Sequence, residues 1–541
     1  MYFIASSTAL AMLALLTCYI VAAANAAKIL ISAAVDTGTH ISSMVPLINR
    51  LAEDGHKITV FETSSLKKAR EFSAPNVRVV FIPMSYDRNF TVHVAHLIYN
   101  RSMLADTLER QYSINAAKLM GMLRDPSNVV TIRELINAQW DLVIIDELFG
   151  VFSYAVAMNL KRYRNTPYIV YGTTTMIHTT IHNLALGRNY VSEPNLFSAI
   201  PRHNSDVFSA ASLRDRLDNI YNIVLDLYYV NYYSASKHMK IAKAMEVPDF
   251  SFNKLLTQSS WIFVDYMTRM RFAFTESAEI RSIGANCRTT TRSLNAELTR
   301  FVEDSTSLGT IYIAFGSYIR WEFAPAQIVD AFFALFDEFT DYRIIFAYNG
   351  PKPFRMPGAH VKLLAWAPQL EILAHAKTKV FFSHGGLKRS VKSKNVAIKT
   401  GPAQLARLSW KEALCQALPV IYMPVFAEQS YNAKLALRMG YAQVLNKFTV
   451  SAHRIIDALQ TILKDYDRFK SNAIRARAIY LDRPVPALDE AAQAVQRVLK
   501  TSAHTRLPYF QRRAVHHCTL YHTLYVLHIL LLLFLIGLIS R

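Results

Sequence analysis

The chain of 541 residues has little cysteine and little charge. Its four cysteines are Cys18, Cys287, Cys415 and Cys518. Because two of them lie in the apolar ends of the chain, we expect neither a disulfide framework nor a cysteine-based metal site in the body. Charged residues make up only 18% and hydrophobic residues 52%, which argues against extended disorder, collagen and coiled coil. The length predicts two or more domains with large buried cores.

Acidic residues are fewer than basic residues. Lys and Arg number 60 and Asp and Glu number 40, which gives a formal net charge of +20. Such an excess favours nucleic acid, an anionic membrane face or an anionic small substrate as a partner. The two ends of the chain help to decide between these partners.

Both ends are apolar. Residues 1–26 contain no charged residue and finish in Ala24-Asn25-Ala26, which predicts a secretory signal peptide although the usual positive charges are missing. The alternative is a retained membrane helix. Residues 514–540 contain no Asp, Glu, Lys or Arg. Within them, 519–539 is long enough for a transmembrane helix, preceded by a juxtamembrane segment at 501–518, and the alternative is a terminal core helix.

These ends predict a single-pass type I protein whose body lies in the secretory lumen. The basic residues oppose this orientation, since Arg512 and Arg513 precede the predicted span and only Arg541 follows it. The signal peptide takes precedence because it commits the body to the lumen before the last helix is made. Glycosylation sequons at Asn89 and Asn100 agree with that compartment. A lumenal body is separated from nucleic acid, so we expect no nucleic-acid partner.

The body shows the pattern of a parallel α/β sheet twice. A buried strand at 28–34, a turn, a helical pattern and a second strand at 58–61 form a βαβ unit. The pattern restarts with a strand at 309–317. We predict two facing Rossmann-like doubly wound domains, at 27–287 and 301–500, joined by a linker at 288–300. A ligand cleft is expected at the carboxyl ends of both sheets.

Three motifs in the second half carry a family resemblance. They are Trp366-Ala367-Pro368-Gln369, His384-Gly385-Gly386 and Glu428-Gln429. Together with the apolar ends and the two halves, they resemble the UDP-glycosyltransferase family of membrane-bound UDP-glucuronosyl and UDP-glucosyl transferases. The resemblance covers nearly the whole chain. It implies an enzyme of the endoplasmic reticulum membrane that conjugates small lipophiles.

The resemblance also implies a set of donor-binding residues. They are Ser317, Trp366, Gln369, His384, Gly386, Ser409, Glu412, Glu428 and Gln429. A uracil needs a flat apolar face and edge hydrogen bonds, which Trp366 and Gln369 supply. Glycines let the backbone approach a diphosphate, and His384 and Ser409 contact the phosphates. Glu412 takes the ribose hydroxyls, and Glu428 with Gln429 holds the sugar. The alternatives are a core aromatic at Trp366 and a solvated helix residue at Glu412.

By the same resemblance, His40 is the general base and Asp146 its carboxylate partner. The chemistry needs this pair, because an acceptor hydroxyl must lose a proton as it attacks the anomeric carbon, and an imidazole titrates near neutrality. A carboxylate fixes the imidazole tautomer and stabilises the imidazolium. The alternative is a structural histidine, which is our reading of His56. We expect no metal and no cofactor beyond the UDP-sugar co-substrate.

One segment departs from the family pattern. Residues 389–408 interrupt the motif that begins at His384, and they carry five basic residues and no acid. Excising them restores His-Gly-Gly-x-x-Ser-x-x-Glu, so the segment is expected to be an inclusion from unspliced message or a gene model. If it is real, we expect it to separate the following helix N-terminus from the glycines.

The sequence is compatible with two functions. The first is an inverting sugar transferase for hydroxylated lipophilic acceptors, with glucose slightly favoured over glucuronic acid because no carboxylate-binding arginine is identified. The alternative is a membrane-anchored protein that binds a UDP-sugar or a lipophile without turnover, because the insertion disrupts the phosphate cradle. Acceptor identity and oligomeric state are not predicted.

Overall fold

The structure, a computed structural model, describes most of the body of the chain. The described residues are 26–33, 38–64, 69–84, 88–101, 105–184, 186, 193–195, 200–201, 205–266, 270, 277–287, 293–316, 319–351, 356–387, 409–502 and 526–533. Nearly all of the predicted signal peptide, part of the linker and the segment 389–408 lie outside these ranges.

Among the described residues, seven strands form a first sheet in the order β3-β2-β1-β4-β5-β6-β7, with every pairing parallel. The strands are β1 (Lys28–Ser32), β2 (Lys57–Ser64), β3 (Val77–Pro83), β4 (Leu142–Asp146), β5 (Tyr168–Gly172), β6 (Trp261–Val264) and β7 (Ile280–Ser282). The central strands β4 and β5 are buried along their whole length, as expected for a parallel sheet covered on both faces.

Six described strands form a second parallel sheet in the order β10-β9-β8-β11-β12-β13. They are β8 (Thr310–Ala314), β9 (Arg343–Ala347), β10 (Val361–Leu364), β11 (Thr378–Ser383), β12 (Val420–Tyr422) and β13 (Ala442–Val444). The predicted strands of both halves are confirmed to within a few residues, and so is the α/β class with two parallel sheets. Apolar runs bounded by turn residues were the signal that located them.

Helices cover both faces of the two sheets. In the first half they are α1 (Gly38–Glu53), α2 (Arg88–Asn100), α3 (Ala105–Met122), α4 (Pro126–Asn137), α5 (Val151–Arg164), α6 (His178–Asn183), α7 (Leu213–Leu227), a π-helical stretch (Tyr228–Tyr233), α8 (Ser234–Ala244) and α9 (Phe252–Thr257). In the second half they are α10 (Ala296–Val302), α11 (Ala326–Glu338), α12 (Gln369–Ala374), α13 (Ser409–Cys415), α14 (Gln429–Arg438), α15 (Ala452–Lys464), α16 (Tyr466–Leu481) and α17 (Ala487–Ser502).

Helix α17 returns to the first half of the chain. Its buried Ala491 and Val495 belong to the same hydrophobic cluster as Ile48 of α1. Gln496 lies 2.8 Å from the Nε2 atom of His56, whose Nδ1 accepts a hydrogen bond from the Ala27 N–H at 3.2 Å. His56 is therefore a buried structural histidine, as predicted. The predicted domain limits remain predictions, but α17 shows that the last helix of the body packs away from the second sheet.

A disulfide joins the two halves, so the expectation of no disulfide in the body was wrong. Cys287, which follows β7, is bonded to Cys415 at the end of α13, 128 residues further along the chain. The prediction failed because the two remaining cysteines, which lie in the body, bond to each other. Only the fold brings positions so distant in sequence to bonding distance.

Polar side chains also cross between the halves. Lys411 of α13 forms a buried ion pair with Asp265, which follows β6. The Tyr266 hydroxyl donates to the Asn432 side chain of α14 at 2.8 Å. A single hydrophobic cluster contains Leu30 of the first sheet and Phe381 of the second. The halves are thus fixed against each other by covalent, ionic and apolar contacts.

The predicted transmembrane helix at 519–539 lies mostly outside the described residues. Of that range the structure describes a helix at 526–533. None of the helices in the described part of the chain combines the length and the apolar character that a membrane crossing needs.

Candidate active site

His40 and Asp146 lie at the point where the strand order of the first sheet reverses. β1 pairs with β2 on one side and with β4 on the other, so the loops that follow β1 and β4 diverge there. Open α/β sheets bind ligands in the crevice at this position. Asp146 is the last residue of β4, and His40 lies in the first turn of α1. The topology therefore brings together two residues that are 106 positions apart.

The His40 and Asp146 side chains are in direct contact. Nδ1 of His40 bonds to a carboxylate oxygen of Asp146, and both residues are buried. The Leu148 backbone N–H donates to the other carboxylate oxygen at 3.0 Å. The Thr173 hydroxyl lies 3.3 Å from His40 Nδ1 and 3.4 Å from Asp146 Oδ1. This arrangement orients the imidazole with Nδ1 on the carboxylate, as in a base–carboxylate pair.

Thr173 is a site residue that the sequence analysis missed. It directly follows β5, the neighbour of β4 in the sheet, so its side chain emerges at the same edge as Asp146. A Thr173-Thr174-Thr175 run after an apolar strand was the available signal. Because the order of strands is needed to connect that run to Asp146, the sequence alone did not place it.

Phe149 is a second residue that the sequence analysis missed. It has φ of +62°, a left-handed backbone conformation that is uncommon for an aromatic residue. Its ring centroid lies 6.2 Å from that of His40 and 5.0 Å from that of Tyr112. Phe149 is only partly buried, whereas the residues on either side of it are buried. The β4–α5 turn thus holds an accessible aromatic ring beside the candidate base.

On its Tyr112 side, Phe149 has uncharged aromatic neighbours. Burial raises the pKa of the Tyr112 phenol above its ordinary value, so the phenol stays protonated. Burial also lowers the pKa of His238 to about 3, so this histidine stays neutral. The rings of Tyr112 and His238 are 5.0 Å apart, edge to face. Phe149, Tyr112 and His238 therefore form a cluster of uncharged rings next to His40.

The reversal point of the second sheet holds the glycine motif. β8 and β11 are neighbours there, and Gly316 follows β8 as His384 follows β11. Gly316 has φ of +73°, and a Cβ atom on it would lie 3.1 Å from the His384 ring. Gly385 has φ of +82°, and its Cβ would lie 3.2 Å from the Gln429 carbonyl oxygen. Glycine is favoured at both positions, because their φ angles lie in the left-handed region and a Cβ atom would make a tight contact.

Gln369 and Glu412, both predicted to contact the donor, are linked to each other. The Gln369 side-chain amide donates to the Glu412 carboxylate at 2.6 Å, and both residues are buried. Trp366, three residues before Gln369, is 50% exposed. The alternatives of a core aromatic at Trp366 and a solvated Glu412 therefore do not describe these side chains. A flat exposed indole next to a fixed amide has the form that a stacked, edge-bonded base requires.

Glu428 and Gln429 are buried at the same edge of the sheet. A carboxylate oxygen of Glu428 accepts from the Leu387 backbone N–H at 3.0 Å, one residue after Gly386. The side-chain oxygen of Gln429 accepts from the N–H groups of Val425 and Phe426 at 2.8 and 3.0 Å. The Glu428 bond fixes the loop after β12 against the glycine loop, and the Gln429 bonds fix that loop to the start of α14. The amide nitrogen of Gln429 is then the group of that side chain suited to contact a ligand.

The insertion does not separate α13 from the glycines, contrary to the expectation. The Trp410 backbone N–H donates to the Gly386 carbonyl oxygen at 3.2 Å. Gly386 and Trp410, which flank the insertion, are therefore in direct contact. The segment itself, together with Ser317 and the side chain of Ser409, lies outside the described residues. Ala417, two residues after the end of α13, has φ of +49°, a backbone conformation that favours glycine.

Comparison with known proteins agrees with this architecture. The profile of a family described as "UDP-glucoronosyl and UDP-glucosyl transferase" matches residues 27–396 and 407–539. UDP-glucuronosyltransferase 1A6 of Mus musculus is 24% identical over 513 residues, which cover 91% of this chain and 86% of that protein. UDP-glycosyltransferase UGT5 of Dactylopius coccus is 23% identical over 484 residues, which cover 88% and 83%. The family match omits residues 397–406, which lie inside the insertion.

Solved structures share the fold. The glycotransferase of kitacinnamycin superposes with a TM-score of 0.56 at 14% identity, over 87% of this chain and 99% of that one. Os79 from O. sativa, in complex with U2F and trichothecene, superposes with a TM-score of 0.53 at 13% identity, over 87% and 100%. Both comparisons show a two-domain GT-B-like fold with parallel sheets. With the family profile matching nearly the whole chain, the chain belongs to the UDP-glucuronosyl and UDP-glucosyl transferase family.

Proposed function

We propose that the protein transfers glucose or glucuronic acid from a UDP-sugar to a hydroxyl group of a small lipophilic acceptor, with inversion at the anomeric carbon. The observation that carries this proposal is the contact of His40 with Asp146 at the reversal point of the first sheet. Family membership supports sugar transfer from a UDP-sugar, and the pair supplies the base that such a transfer needs.

In the proposed reaction, His40 takes the proton of the acceptor hydroxyl. With Nδ1 on Asp146, Nε2 is the nitrogen that receives it. The acceptor oxygen attacks the anomeric carbon from the face opposite UDP. A new glycosidic C–O bond forms as the C–O bond to the diphosphate breaks, and UDP departs with that electron pair. The Asp146 carboxylate stabilises the imidazolium until the proton passes to solvent.

The donor is proposed to bind at the second sheet. Trp366 stacks on the uracil, Gln369 and Glu412 bond near the ribose, and the glycine loop with His384 meets the diphosphate. Ser317 and Ser409 are proposed as further phosphate contacts, and Glu428 and the Gln429 amide nitrogen hold the sugar. No metal is required in this proposal, because backbone N–H groups and His384 balance the diphosphate charge. The buried Gln369–Glu412 hydrogen bond supports it, since it holds both groups in place before a ligand arrives.

We propose the endoplasmic reticulum lumen as the location of the body, with residues 519–539 as its membrane anchor. The Cys287–Cys415 disulfide supports an oxidising compartment, because disulfides form and persist there. Asn100 of the second sequon is exposed at the end of α2. Loss of apparent mass on glycosidase treatment, abolished in Asn89→Gln/Asn100→Gln, tests this location. An unglycosylated, reduced protein would contradict it.

The alternative is a binding protein without turnover. It is distinguished by expressing the chain with and without residues 389–408 in microsomes and supplying labelled UDP-glucose and UDP-glucuronic acid with a panel of lipophilic alcohols and phenols. The proposal expects a labelled glycoside from both forms, because Gly386 and Trp410 meet across the insertion. Binding of UDP without product in either form would favour the alternative. If only the form without residues 389–408 makes product, the insertion is what prevents turnover in the full chain.

A further inference from the structure

Helix α7 is amphipathic, but its polar face points inward. Its buried residues are Asp215, Asn219, Ile223 and Asp226. Such a helix normally buries its apolar face and exposes its polar one. Here three of the four buried side chains are polar, which leaves the apolar positions of the helix on the outside.

The inward polar face is fixed by hydrogen bonds to the segment before the helix. The Ser209 N–H donates to the Asp215 carboxylate at 2.7 Å. The Asn219 amide donates to the Glu193 carbonyl oxygen at 2.6 Å. The Asn195 amide donates to the Asp226 carboxylate at 2.7 Å. Rolling the helix to hide its apolar face would break these bonds and leave buried polar groups unpaired, so the apolar face is held outward.

The outward face forms a continuous apolar stripe, here called the α7 stripe. It consists of eight exposed residues: Leu213, Leu217, Ile220, Tyr221, Val224, Tyr228, Tyr232 and Tyr233. Positions 213, 217, 220, 224 and 228 recur every three or four residues, which places them on one side of the helix. Between 213 and 233, all of it described, the other exposed residues are Arg214 and Asp218. An apolar surface of this length on a folded body marks an interaction site.

We propose that the α7 stripe docks on the surface of a lipid bilayer, with α7 lying in the interface. Its composition fits that position, since leucine and isoleucine bury in the acyl boundary and tyrosine prefers the headgroup level. Basic residues flank both ends of the stripe. Arg214 is exposed at its start, and Lys240 and Lys243 are exposed on α8, which continues the same helical segment. These charges complement an anionic headgroup layer.

A second copy of the chain fits the stripe less well than a bilayer. Two stripes related by a two-fold axis and packed antiparallel would place the Arg214 end of one copy near the end of the other that carries Lys240 and Lys243, so like charges would approach each other. The helix at 526–533 provides independent support for a bilayer. All eight of its residues are exposed, and all but His528 are aliphatic. Water is a poor solvent for such a helix, so the chain carries a second surface that requires an apolar medium.

The docked orientation would bring the membrane close to the half of the protein that carries the candidate base. The π-helical stretch after α7 contacts α6 through the Asn183 amide, which donates to the Asn231 side chain at 2.8 Å. Helix α6 follows β5 and Thr173, which bonds to the His40–Asp146 pair. A lipophilic acceptor dissolved in the bilayer would thus reach the side of the body that carries the candidate base. This inference goes beyond sugar transfer and does not depend on its outcome.

The test is the depth of the stripe in a membrane, measured on the full chain. Bimane is attached at Tyr221→Cys in a Cys18→Ser/Cys518→Ser background that retains the Cys287–Cys415 disulfide. The matched control carries bimane at Asp467→Cys, an exposed position on α16. Both proteins are reconstituted in phosphatidylcholine vesicles with phosphatidylserine and with doxyl-labelled lipid. Circular dichroism is used to check that both variants are folded.

The proposal expects doxyl lipid to quench the label at 221 and iodide to leave it bright, with the opposite result at 467. It also expects Arg214→Gln/Lys240→Gln/Lys243→Gln to reduce the doxyl quenching at 221 in vesicles that contain phosphatidylserine. Iodide quenching at 221 as strong as at 467 would overturn the proposal, because the stripe would then face water. A label at 221 that is shielded from both quenchers would also overturn it, in favour of a second copy. Equal doxyl quenching at both positions would overturn it as well.

Discussion

At the residue scale, Phe149 is an aromatic neighbour of the candidate base. The Phe149 backbone has φ of +62°, a conformation that costs free energy. This conformation places the aromatic ring beside His40. The neighbouring Tyr112 and His238 are neutral and buried. In the proposed reaction, a lipophilic acceptor would bury apolar area against Phe149 while its hydroxyl group meets His40.

We predict that Phe149→Ala raises the KM for an aromatic acceptor about tenfold, which corresponds to about 1.4 kcal/mol of lost apolar contact. The KM for the UDP-sugar should stay unchanged. The measurement is initial-rate kinetics with each substrate varied in turn. Phe333→Ala, at a partly buried phenylalanine of α11, is the matched control. An unchanged acceptor KM in Phe149→Ala would remove this residue from the acceptor site.

The sequence located some of these residues and missed others for a physical reason. His40 and Asp146 were identified through the family resemblance, which implies a histidine just after the first strand and a carboxylate at the end of its own strand. Thr173 was missed because its contact with them depends on the strand order β1-β4-β5. Phe149 was missed because its role depends on a backbone angle, and a phenylalanine carries no sequence signal for positive φ.

At the element scale, the polar inner face of α7 contains a carboxyl group that titrates near neutrality. Burial raises the pKa of Asp226 to about 7, although the Asn195 hydrogen bond opposes that shift. The ordinary value is 3.8, so the folded state binds this proton more tightly than the unfolded state. The resulting stabilisation is complete below pH 4 and is lost as the pH rises to about 7. His178 Nδ1, 3.8 Å away, faces the same carboxyl group.

Asp226→Asn should remove this pH dependence. The asparagine oxygen can still accept from Asn195, and no carboxylate remains to be buried. We predict a flatter curve of unfolding free energy between pH 4 and pH 7, and a variant more stable than the parent at pH 8 by on the order of a few kcal/mol. Urea unfolding across this range is the measurement, with Asp218→Asn on the exposed side of α7 as the control. Parallel curves for Asp226→Asn and the parent would contradict the assignment.

The second element-scale prediction concerns the insertion. Gly386 and Trp410 are hydrogen bonded, so the described residues on the two sides of 389–408 meet directly. Excising residues 389–408 should leave α13 in place and stabilise the fold by up to about 2–3 kcal/mol, the closure entropy of a loop of this length. Chemical denaturation of both forms measures this difference. Destabilisation on excision would show that the segment contributes contacts of its own.

At the scale of the whole molecule, the two halves are joined covalently by Cys287–Cys415. Closing a loop of 128 residues restricts the unfolded chain, so the loss of this bond should cost roughly 2–5 kcal/mol. We predict this loss of unfolding free energy for Cys287→Ser/Cys415→Ser, and an equal loss for the parent in reducing buffer. Cys518→Ser is the control and should leave the stability unchanged. If reduction leaves the parent as stable as before, the disulfide does not form in solution.

The sequence predicted the two sheets, but it did not predict the contacts that join the two halves. Two sets of apolar strand patterns predicted two parallel sheets, and both were found. The disulfide, the Lys411–Asp265 ion pair and the return of α17 to α1 were not predicted. Each joins positions that are far apart in the chain, and no local pattern encodes such pairs. These contacts set how the two candidate half-sites face each other.

The most direct test of the proposed function is turnover in His40→Ala, because the assignment of a base at the first sheet depends on this one side chain. Full-length parent, His40→Ala and the exposed-histidine control His453→Ala are compared for labelled sugar transfer and for UDP binding. We predict that kcat falls on the order of 10²–10⁴-fold in His40→Ala, the usual contribution of a general base, while UDP affinity and the control stay at the parent value. Full turnover by His40→Ala would contradict the mechanism.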